Sequence, residues 1–506
     1  MKTGIRVKSY YKRTKIVATL GPSITQKLWD YKMFKDPANK KLADLAYQRM
    51  EEIFRAGVNC VRLNFSHGSY EEHQIRIDVA REVAKKVNRN ISVMLDTKGP
   101  EIRLGKIVNG PQPIKMDDTI TIYTLKEIDG DSHQFFVTDS TGTYNMANDV
   151  KVGGLILVDD GKLQLKITDV KREEGIITTV ALNNHQVNDK KRINLPNAEY
   201  SMPFLSEKDK QDLLFGIKNN VDYVAASFIN SAANVNEIRN FLDTNGGKSI
   251  QIISKIESTH AIRNIDEILD ATNGVMVARG DLALEIPYYD VPYWEKYIIR
   301  KCRYIGKPVI VATQMLDSLE RNIQPTRAEV TDVFFAVERG ADATMLSGES
   351  AQGMFPVQAV YTMRQIDKKS ELLFDYRRAV EFYFPKAQLP KYTKRIAKKI
   401  AKQLLPFGDD AAPSFKYNFV VIFTNDKPLI WTLSNIRPAA TIIVVTDEQE
   451  LLTCFGINYG IQTYHVKDIN KAKINYKIIA REAINCFEPN EQQAVAFFDK
   501  KFHEIN

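Results

Sequence analysis

Eight short apolar segments, rich in β-branched residues, recur through the first two thirds of the chain. Segments of this kind are typical of parallel strands that are covered on both faces. Most of them are separated by stretches with apolar residues at three- and four-residue steps, the spacing of an amphipathic helix, as at 41–56 and 71–87. Eight strand–helix units in succession predict a (β/α)₈ TIM barrel, an α/β fold. The predicted strands are 15–21, 58–65, 91–96, 223–228, 250–257, 275–281, 308–315 and 343–349.

The alternation is broken between the third and fourth segments. This interval contains strand-like runs at 119–123, 154–158 and 163–167, separated by Asp-Gly and Gly-Gly turn signals. We predict a small all-β lid domain, inserted after strand three at the carboxyl face of the barrel. After residue 367 the pattern changes again, with strands at 419–423 and 441–446, which predicts a C-terminal α/β domain. The predicted domains are the barrel, 1–102 and 203–367, the inserted lid, 103–202, and the divergent C-terminal domain, 368–506.

Composition excludes several classes of protein. Apolar residues make up 44% of the chain and charged residues 26%, which is ordinary for a globular protein. The net charge of +8 is a mild excess, and we expect no nucleic-acid partner. The basic helix predicted at 394–405 is interpreted as a solvated face, with an anionic partner as the alternative. No signal peptide, membrane-length apolar run or CxxC pair is found, so we expect a cytoplasmic protein with no membrane partner.

Catalytic side chains of a TIM barrel follow the carboxyl ends of its strands. Lys255 and Glu257 are two residues apart on strand five and therefore point to the same side, and Asp281 ends the neighbouring segment. Two carboxylates at a barrel mouth can hold Mg²⁺, with water and substrate oxygens completing the octahedron. The alternative is a structural buried ion pair between Lys255 and Glu257.

A second polar cluster is predicted from strands two and three. Alternation places Arg62, Asn64 and Ser66 on one face, and Asp96 and Thr97 end the adjacent strand. Neutral oxygens with one carboxylate suit a monovalent cation, and an arginine at the same mouth suits a phosphate. Ordinary hydrogen bonding at strand ends is the alternative.

Longer motifs resemble the pyruvate kinase family. They run in the family's order from Lys15 to about Gly353, whereas the remainder is only weakly similar to the family's C-terminal domain. The resemblance implies a cytoplasmic phosphotransferase that converts phosphoenolpyruvate and ADP to pyruvate and ATP, the last step of glycolysis, as a homotetramer. The motifs are KIVATLGPS, VRLNFSHG, MLDTKGPEIR, LSEKDKQDLLFG, IISKIE, VMVARGDLALEIP, KPVIVATQML and PTRAEVTDV…GADATMLSGESAQG.

The resemblance also implies a role for each matching residue. Mg²⁺, or Mn²⁺ in its place, would bind Glu257 and Asp281, and K⁺ would bind Asn64, Ser66, Asp96 and Thr97. Lys255, Arg62 and Ser347 would be catalytic, with Ser347 on the proton path to the enolate. The substrate would contact Arg62, Lys255, Gly280, Asp281 and Thr313, and the nucleotide would contact Asn64, His67, Arg103 and Lys208. In this family a glutamate after TKGP, here Glu101, accompanies K⁺ dependence.

One departure from the family concerns regulation. Members activated by fructose 1,6-bisphosphate bind it in a loop rich in Thr, Ser and Gly, where this chain has Asp426, Lys427, Pro428 and Leu429. We therefore expect no activation by this sugar phosphate.

Two alternative functions remain open from the sequence. A barrel aldolase or lyase would use Lys255 as a Schiff base, and a catalytically silent scaffold or nucleic-acid binder would use the basic helix.

Overall fold

The computed structural model describes residues 11–139, 142–408, 414–489 and 491–505. The first three barrel strands and their helices agree with the sequence pattern. The connection after β1 is long and carries two short helices and a 3₁₀ turn, Pro37–Asn39. A capping box, in which Ser69 and Glu72 bind each other's backbone N–H groups, begins α4. In chain order these elements are β1 (Lys15–Thr19), α1 (Pro22–Thr25), α2 (Tyr31–Lys35), α3 (Lys40–Ala56), β2 (Cys60–Asn64), α4 (Tyr70–Lys86) and β3 (Ser92–Asp96).

The inserted segment is all-β, as predicted. Seven of its strands close into a small barrel in the order β10-β6-β7-β4-β12-β8-β9, and β5 pairs with β11 beside it. Alternating side chains such as Ile120, Phe135 and Leu165 form a hydrophobic core that is separate from the core around the large barrel. The strands are β4 (Ile102–Leu104), β5 (Gln112–Ile114), β6 (Thr119–Tyr123), β7 (Gln134–Thr138), β8 (Leu155–Val158), β9 (Leu163–Lys171), β10 (Ile176–Ala181), β11 (His185–Val187) and β12 (Arg192–Asn194).

Five further parallel strands complete the large barrel, which closes in the order β1-β17-β16-β15-β14-β13-β3-β2. A capping box formed by Ser206 and Asp209 begins α5. The elements are α5 (Glu207–Lys218), β13 (Tyr223–Ala226), α6 (Ala232–Thr244), β14 (Gln251–Ile256), α7 (Thr259–Arg263), α8 (Ile265–Ala271), β15 (Gly274–Ala278), α9 (Arg279–Glu285), α10 (Val291–Ile305), β16 (Val309–Ala312), α11 (Arg327–Arg339), β17 (Ala343–Leu346), α12 (Gly348–Ala351) and α13 (Pro356–Leu373).

The last three barrel strands each end three residues earlier than the sequence predicts. The sixth strand stops at Ala278, so Asp281 lies in the first turn of α9. The seventh stops at Ala312, because Thr313 and Gln314 have φ of 69° and 53° and leave the strand conformation. The eighth stops at Leu346, and Gly348 begins α12. Functional groups therefore follow these strands on tight turns.

The C-terminal part is an α/β unit with the sheet order β20-β19-β18-β21-β22, in which β22 alone is antiparallel to its neighbour. Arg437 joins it to the barrel by bonds to Ala341 O (3.0 Å) and Asp342 (2.8 Å). None of the helices in the described ranges combines the length and apolar character needed to span a bilayer. The elements are α14 (Tyr376–Arg378), α15 (Lys391–Gln403), β18 (Phe419–Phe423), α16 (Lys427–Asn435), β19 (Thr441–Thr446), β20 (Ile461–His465), α17 (Ile469–Ile474), α18 (Tyr476–Asn485), β21 (Ala494–Phe498) and β22 (Lys501–Glu504).

Candidate active site

A polar cavity of about 340 Å³ lies between the mouth of the large barrel and the lid. Phe228 is the one apolar side chain in its lining, and the wall carries both acidic and basic groups. Such a wall suits a small, highly charged ligand together with cations. The lining residues are Arg62, Asn64, Ser66, His67, Asp96, Lys98, Glu101, Arg103, Asp159, Asp160, Lys190, Lys191, Arg192, Ser227, Phe228, Lys255, Glu257 and Asp281.

Lys255 is the central cation of this cavity. Its Nζ lies 2.9 Å from Glu257 Oε1 and 3.2 Å from Asp96 Oδ1, and it donates to Ser227 Oγ at 2.7 Å. Burial alone would lower the pKa of Lys255, but the surrounding carboxylates hold it above its ordinary value. The amine is therefore an ammonium at neutral pH and cannot attack a carbonyl carbon, which disfavours the Schiff-base alternative.

Glu257 is fixed by an unusual backbone. Its Oε2 accepts the N–H of Phe228 at 2.8 Å, and Phe228 has a φ of 56°, a left-handed conformation that a bulky residue rarely adopts. Strained backbone of this kind clusters at functional sites, and here it turns the N–H toward the carboxylate. Burial raises the pKa of Glu257, and the Lys255 ammonium opposes that shift.

Arg62 and Asp96 form the second part of the wall. Arg62 Nε lies 2.6 Å from Asp96 Oδ2, and its Nη1 donates to Thr19 Oγ1 at 2.8 Å. Burial would raise the pKa of Asp96, but Arg62 and Lys255 together lower it. This carboxylate is thus ionised and bridges the two cations.

The residues predicted to bind K⁺ lie together, but they make protein hydrogen bonds. Asn64 Oδ1 accepts the Ser66 N–H at 3.1 Å, and Thr97 Oγ1 accepts the Ser227 N–H at 3.1 Å. Asn64, Ser66 and Asp96 line the cavity, whereas Thr97 is buried and does not line it. The bonding expected of ordinary strand ends is therefore present, and the K⁺ site stays a prediction.

Asp281 faces the lid. Its Oδ1 lies 2.6 Å from Nη1 of Arg192, which projects from β12. The neighbouring Gly280 N–H donates to Thr313 Oγ1 at 2.8 Å, so this donor is already engaged by the protein. Gly280 and Thr313 adjoin Asp281 but do not line the cavity.

Only some of the residues predicted to bind the nucleotide line the cavity. His67 and Arg103 line the cavity, and Arg103 Nη2 lies 2.7 Å from Glu101 Oε1. Burial and the Arg103 charge lower the pKa of His67. Lys208 lies outside the cavity and is bound to Asp212 and Tyr70.

Ser347 is also outside the cavity. It precedes α12, and its N–H donates to Glu349 Oε2 at 2.7 Å. Its place on a proton path stays a prediction.

Of the lid residues that line the cavity, Arg103 alone is among the predicted site residues. Asp160 belongs to one of the Asp-Gly turn signals, and the sequence analysis gives no site role to Asp159, Lys190, Lys191 or Arg192. The run of three basic residues next to a short strand was the available signal. The predicted fourth strand, 223–228, includes Ser227 and Phe228, whereas β13 stops at Ala226.

Comparison with known proteins agrees with this geometry. Residues 11–360 match the family model described as pyruvate kinase, barrel domain. The pyruvate kinase of Mycoplasma pneumoniae is 48% identical over 483 residues, covering 95% of each chain. The chain belongs to the pyruvate kinase family. The Geobacillus stearothermophilus pyruvate kinase is 39% identical, covering 91% of this chain and 72% of the relative. A crystal structure of a pyruvate kinase from Cryptosporidium parvum superimposes with a TM-score of 0.84 at 30% identity, covering 98% and 96% of the two chains. The pyruvate kinase fold predicted from the sequence, a barrel with inserted β and C-terminal α/β parts, is thus confirmed.

Proposed function

We propose that this protein transfers the phosphoryl group of phosphoenolpyruvate to ADP, giving pyruvate and ATP, and that it requires Mg²⁺ and K⁺. The observation that carries the proposal is the buried Lys255, which contacts Glu257 and Asp96 in the same cavity as Arg62. Phosphoryl transfer depends on positioning and on positive charge around the transferring group. Family membership supports this assignment over other reactions of TIM barrels.

The donor set suits Mg²⁺, or Mn²⁺ in its place. Glu257 and Asp281 would be the two protein ligands, because both carboxylates line the cavity. In the described part of the chain, no three His, Cys, Asp or Glu side chains gather into a cluster that could hold a metal ion. Hard carboxylate oxygens suit this ion, which commonly keeps water and substrate oxygens in its remaining positions. When bound, the ion supplies charge that stabilises phosphoryl and enolate oxygens.

Each side chain of the cavity would then have its own role in the reaction. Arg62, oriented by Asp96, binds the phosphate of phosphoenolpyruvate with its guanidinium group. A terminal phosphate oxygen of ADP attacks the phosphorus, the bond to the enol oxygen breaks, and Lys255 stabilises the negative charge that develops. The enolate is then protonated at carbon to give pyruvate, and we assign Ser347 to the proton path by resemblance.

The substrate and nucleotide would occupy opposite sides of the cavity. Gly280, Asp281 and Thr313 are proposed to position the substrate, and Asn64, His67, Arg103 and Lys208 to contact ADP. K⁺ is proposed to bind at Asn64, Ser66, Asp96 and Thr97. The lid covers this volume and would exclude water, which otherwise competes with ADP for the phosphoryl group.

We further propose a cytoplasmic homotetramer. An aromatic surface at the start of α10 supports self-association, because Tyr288, Tyr289 and Tyr293 are 79%, 69% and 63% exposed. Sedimentation would show a tetramer, and a monomer at micromolar concentration would contradict this assignment.

The test of function is an assay of ATP formation from phosphoenolpyruvate and ADP, with pyruvate measured independently. Equimolar products that require Mg²⁺ are expected. Borohydride treatment with a keto substrate should trap no adduct on Lys255. Absence of ATP formation, or a trapped Lys255 adduct, would refute the proposal.

A further inference from the structure

Arg192 extends from the lid into the mouth of the large barrel. It begins β12, where it pairs with Arg103 of β4, so its backbone belongs to the lid. Its Nη1 lies 2.6 Å from Asp281 Oδ1, and its Nε lies 3.9 Å from Glu101 Oε1. The guanidinium thus links the inserted domain to the barrel helix α9.

The surroundings of Arg192 keep it in place and charged. The guanidinium carbon lies 5.2 Å from the centre of the Phe228 ring, and the Phe228 N–H holds Glu257. Burial would lower the pKa of Arg192, but Asp281, Glu257 and Glu101 hold it above its ordinary value. The side chains of Arg192 and Asp281 are both 22% exposed, so a ligand in the cavity can reach the pair.

Asp281 is therefore a partner for two cations. The guanidinium is bound to it, and Mg²⁺ is proposed to bind it together with Glu257. Two cations at one carboxylate repel each other, so binding of the ion weakens the ion pair between Asp281 and Arg192. The guanidinium stays on β12 beside Lys190 and Lys191 at the cavity wall, where it can bind two oxygens of a phosphate.

We propose that Arg192 is a positioning residue that neutralises Asp281 until a divalent cation binds, and then binds a phosphate of the nucleoside diphosphate. This inference rests on the proposed function, because it assumes that Asp281 is a metal ligand. It gives Arg192 a direct part in binding the nucleotide, in addition to the proposed contact of Arg103.

The first experiment measures Mn²⁺ binding to the full-length protein without substrates, from the electron paramagnetic resonance signal of free Mn²⁺. Arg192→Gln removes the competing charge, and we expect Mn²⁺ affinity to rise about 10-fold. Lys162→Gln is the matched control, because Lys162 is a lid lysine paired with Asp159 and its side chain is 60% exposed. Its effect should stay within about twofold.

The variant Arg192→Lys distinguishes the loss of positive charge from damage to the fold of the lid. It keeps the positive charge, so Mn²⁺ affinity should remain within about twofold of that of the unchanged protein. If Arg192→Lys raises the affinity as much as Arg192→Gln does, damage to the lid explains both results and the proposal is wrong.

The second experiment measures steady-state rates. Loss of a charged hydrogen bond to phosphate should raise the KM for ADP about 10-fold or more in Arg192→Gln, with a smaller change in the KM for phosphoenolpyruvate. An unchanged KM for ADP, or equal changes in Arg192→Gln and Lys162→Gln, would overturn the inference.

Different results would refute the proposed function. If the unchanged protein forms no ATP, or if Asp281→Asn binds Mn²⁺ as tightly as the unchanged protein does, then the reaction or the metal site is wrong. If both of those tests succeed and Arg192→Gln has no effect on Mn²⁺ or ADP, only the role of Arg192 is wrong.

Discussion

Replacing Lys255 by methionine tests the charge at the centre of the cavity. The change keeps much of the side-chain volume and removes an ammonium that contacts Asp96, Glu257 and Ser227. Asp96 keeps Arg62 at 2.6 Å, so the uncompensated carboxylate is mainly Glu257. Loss of one partner of a buried ion pair typically costs about 3–5 kcal/mol, and because one carboxylate stays paired we expect a loss of unfolding free energy of about 3 kcal/mol.

The catalytic effect should be larger than the effect on binding. The ammonium is proposed to act on charge that appears in the transition state, so kcat should fall on the order of 10²–10⁴-fold while the KM for phosphoenolpyruvate changes much less. The pKa of Lys255 in the folded protein is above its unfolded value. Its stabilising contribution is therefore complete below the unfolded pKa and is lost only as pH rises through the folded pKa. Between about pH 6 and 9 we therefore expect no change in the reaction rate from titration of Lys255.

The assay is steady-state ATP formation, together with urea unfolding to confirm that the variant is folded. Lys307→Met is the control, because Lys307 is a partly buried barrel lysine whose Nζ donates to Thr272 O at 2.7 Å, away from the cavity. It should lose about 1 kcal/mol of stability and keep its kcat. A Lys255→Met protein with a raised KM and an unchanged kcat would refute the assigned role.

Three further predictions concern the metal ions and regulation. Glu257→Gln keeps the size of the side chain and removes its charge, so the rate at saturating Mg²⁺ should fall on the order of 10²–10⁴-fold, and near-normal turnover would contradict the metal assignment. Activity should require K⁺, as Glu101 at the wall implies by resemblance, and full activity in tetramethylammonium buffer free of K⁺ would disprove this. Fructose 1,6-bisphosphate should not raise initial rates at subsaturating phosphoenolpyruvate, because Asp426 itself caps α16 by accepting the Leu429 N–H at 3.0 Å and so places a carboxylate where a phosphate would bind. A several-fold activation that Lys427→Ala abolishes would show that this loop binds the effector.

The sequence predicted the barrel well because buried parallel strands leave a local signal. The segments 91–96 and 441–446 coincide with observed strands to within one residue. The predicted ends of the sixth and eighth strands are three residues too late, because Gly280 and Gly348 belong to helices that follow the strands directly. A run of apolar residues does not indicate at which residue the strand ends and the chain turns.

Apart from Arg103, the predicted site residues belong to the barrel and not to the lid. Lys255 and Glu257 are close in sequence, so their shared side follows from strand geometry alone. Arg192 meets Asp281 only because the lid folds back over the barrel, and no local pattern encodes that contact. The left-handed backbone at Phe228, which aims an N–H at Glu257, also left no mark in the composition of its segment.

The separate hydrophobic core of the inserted domain has a consequence for local unfolding. Ile120, Phe135 and Leu165 pack among themselves rather than with the barrel interior, and both ends of the domain join one connection between β3 and α5. A segment of this kind can open as its own cooperative unit while the barrel stays folded. Amide hydrogens in β6, β7 and β9 should therefore exchange with solvent through a partial opening of lower free energy than the global unfolding that exposes β1 and β15. Ligands that bridge lid and barrel should slow that exchange selectively.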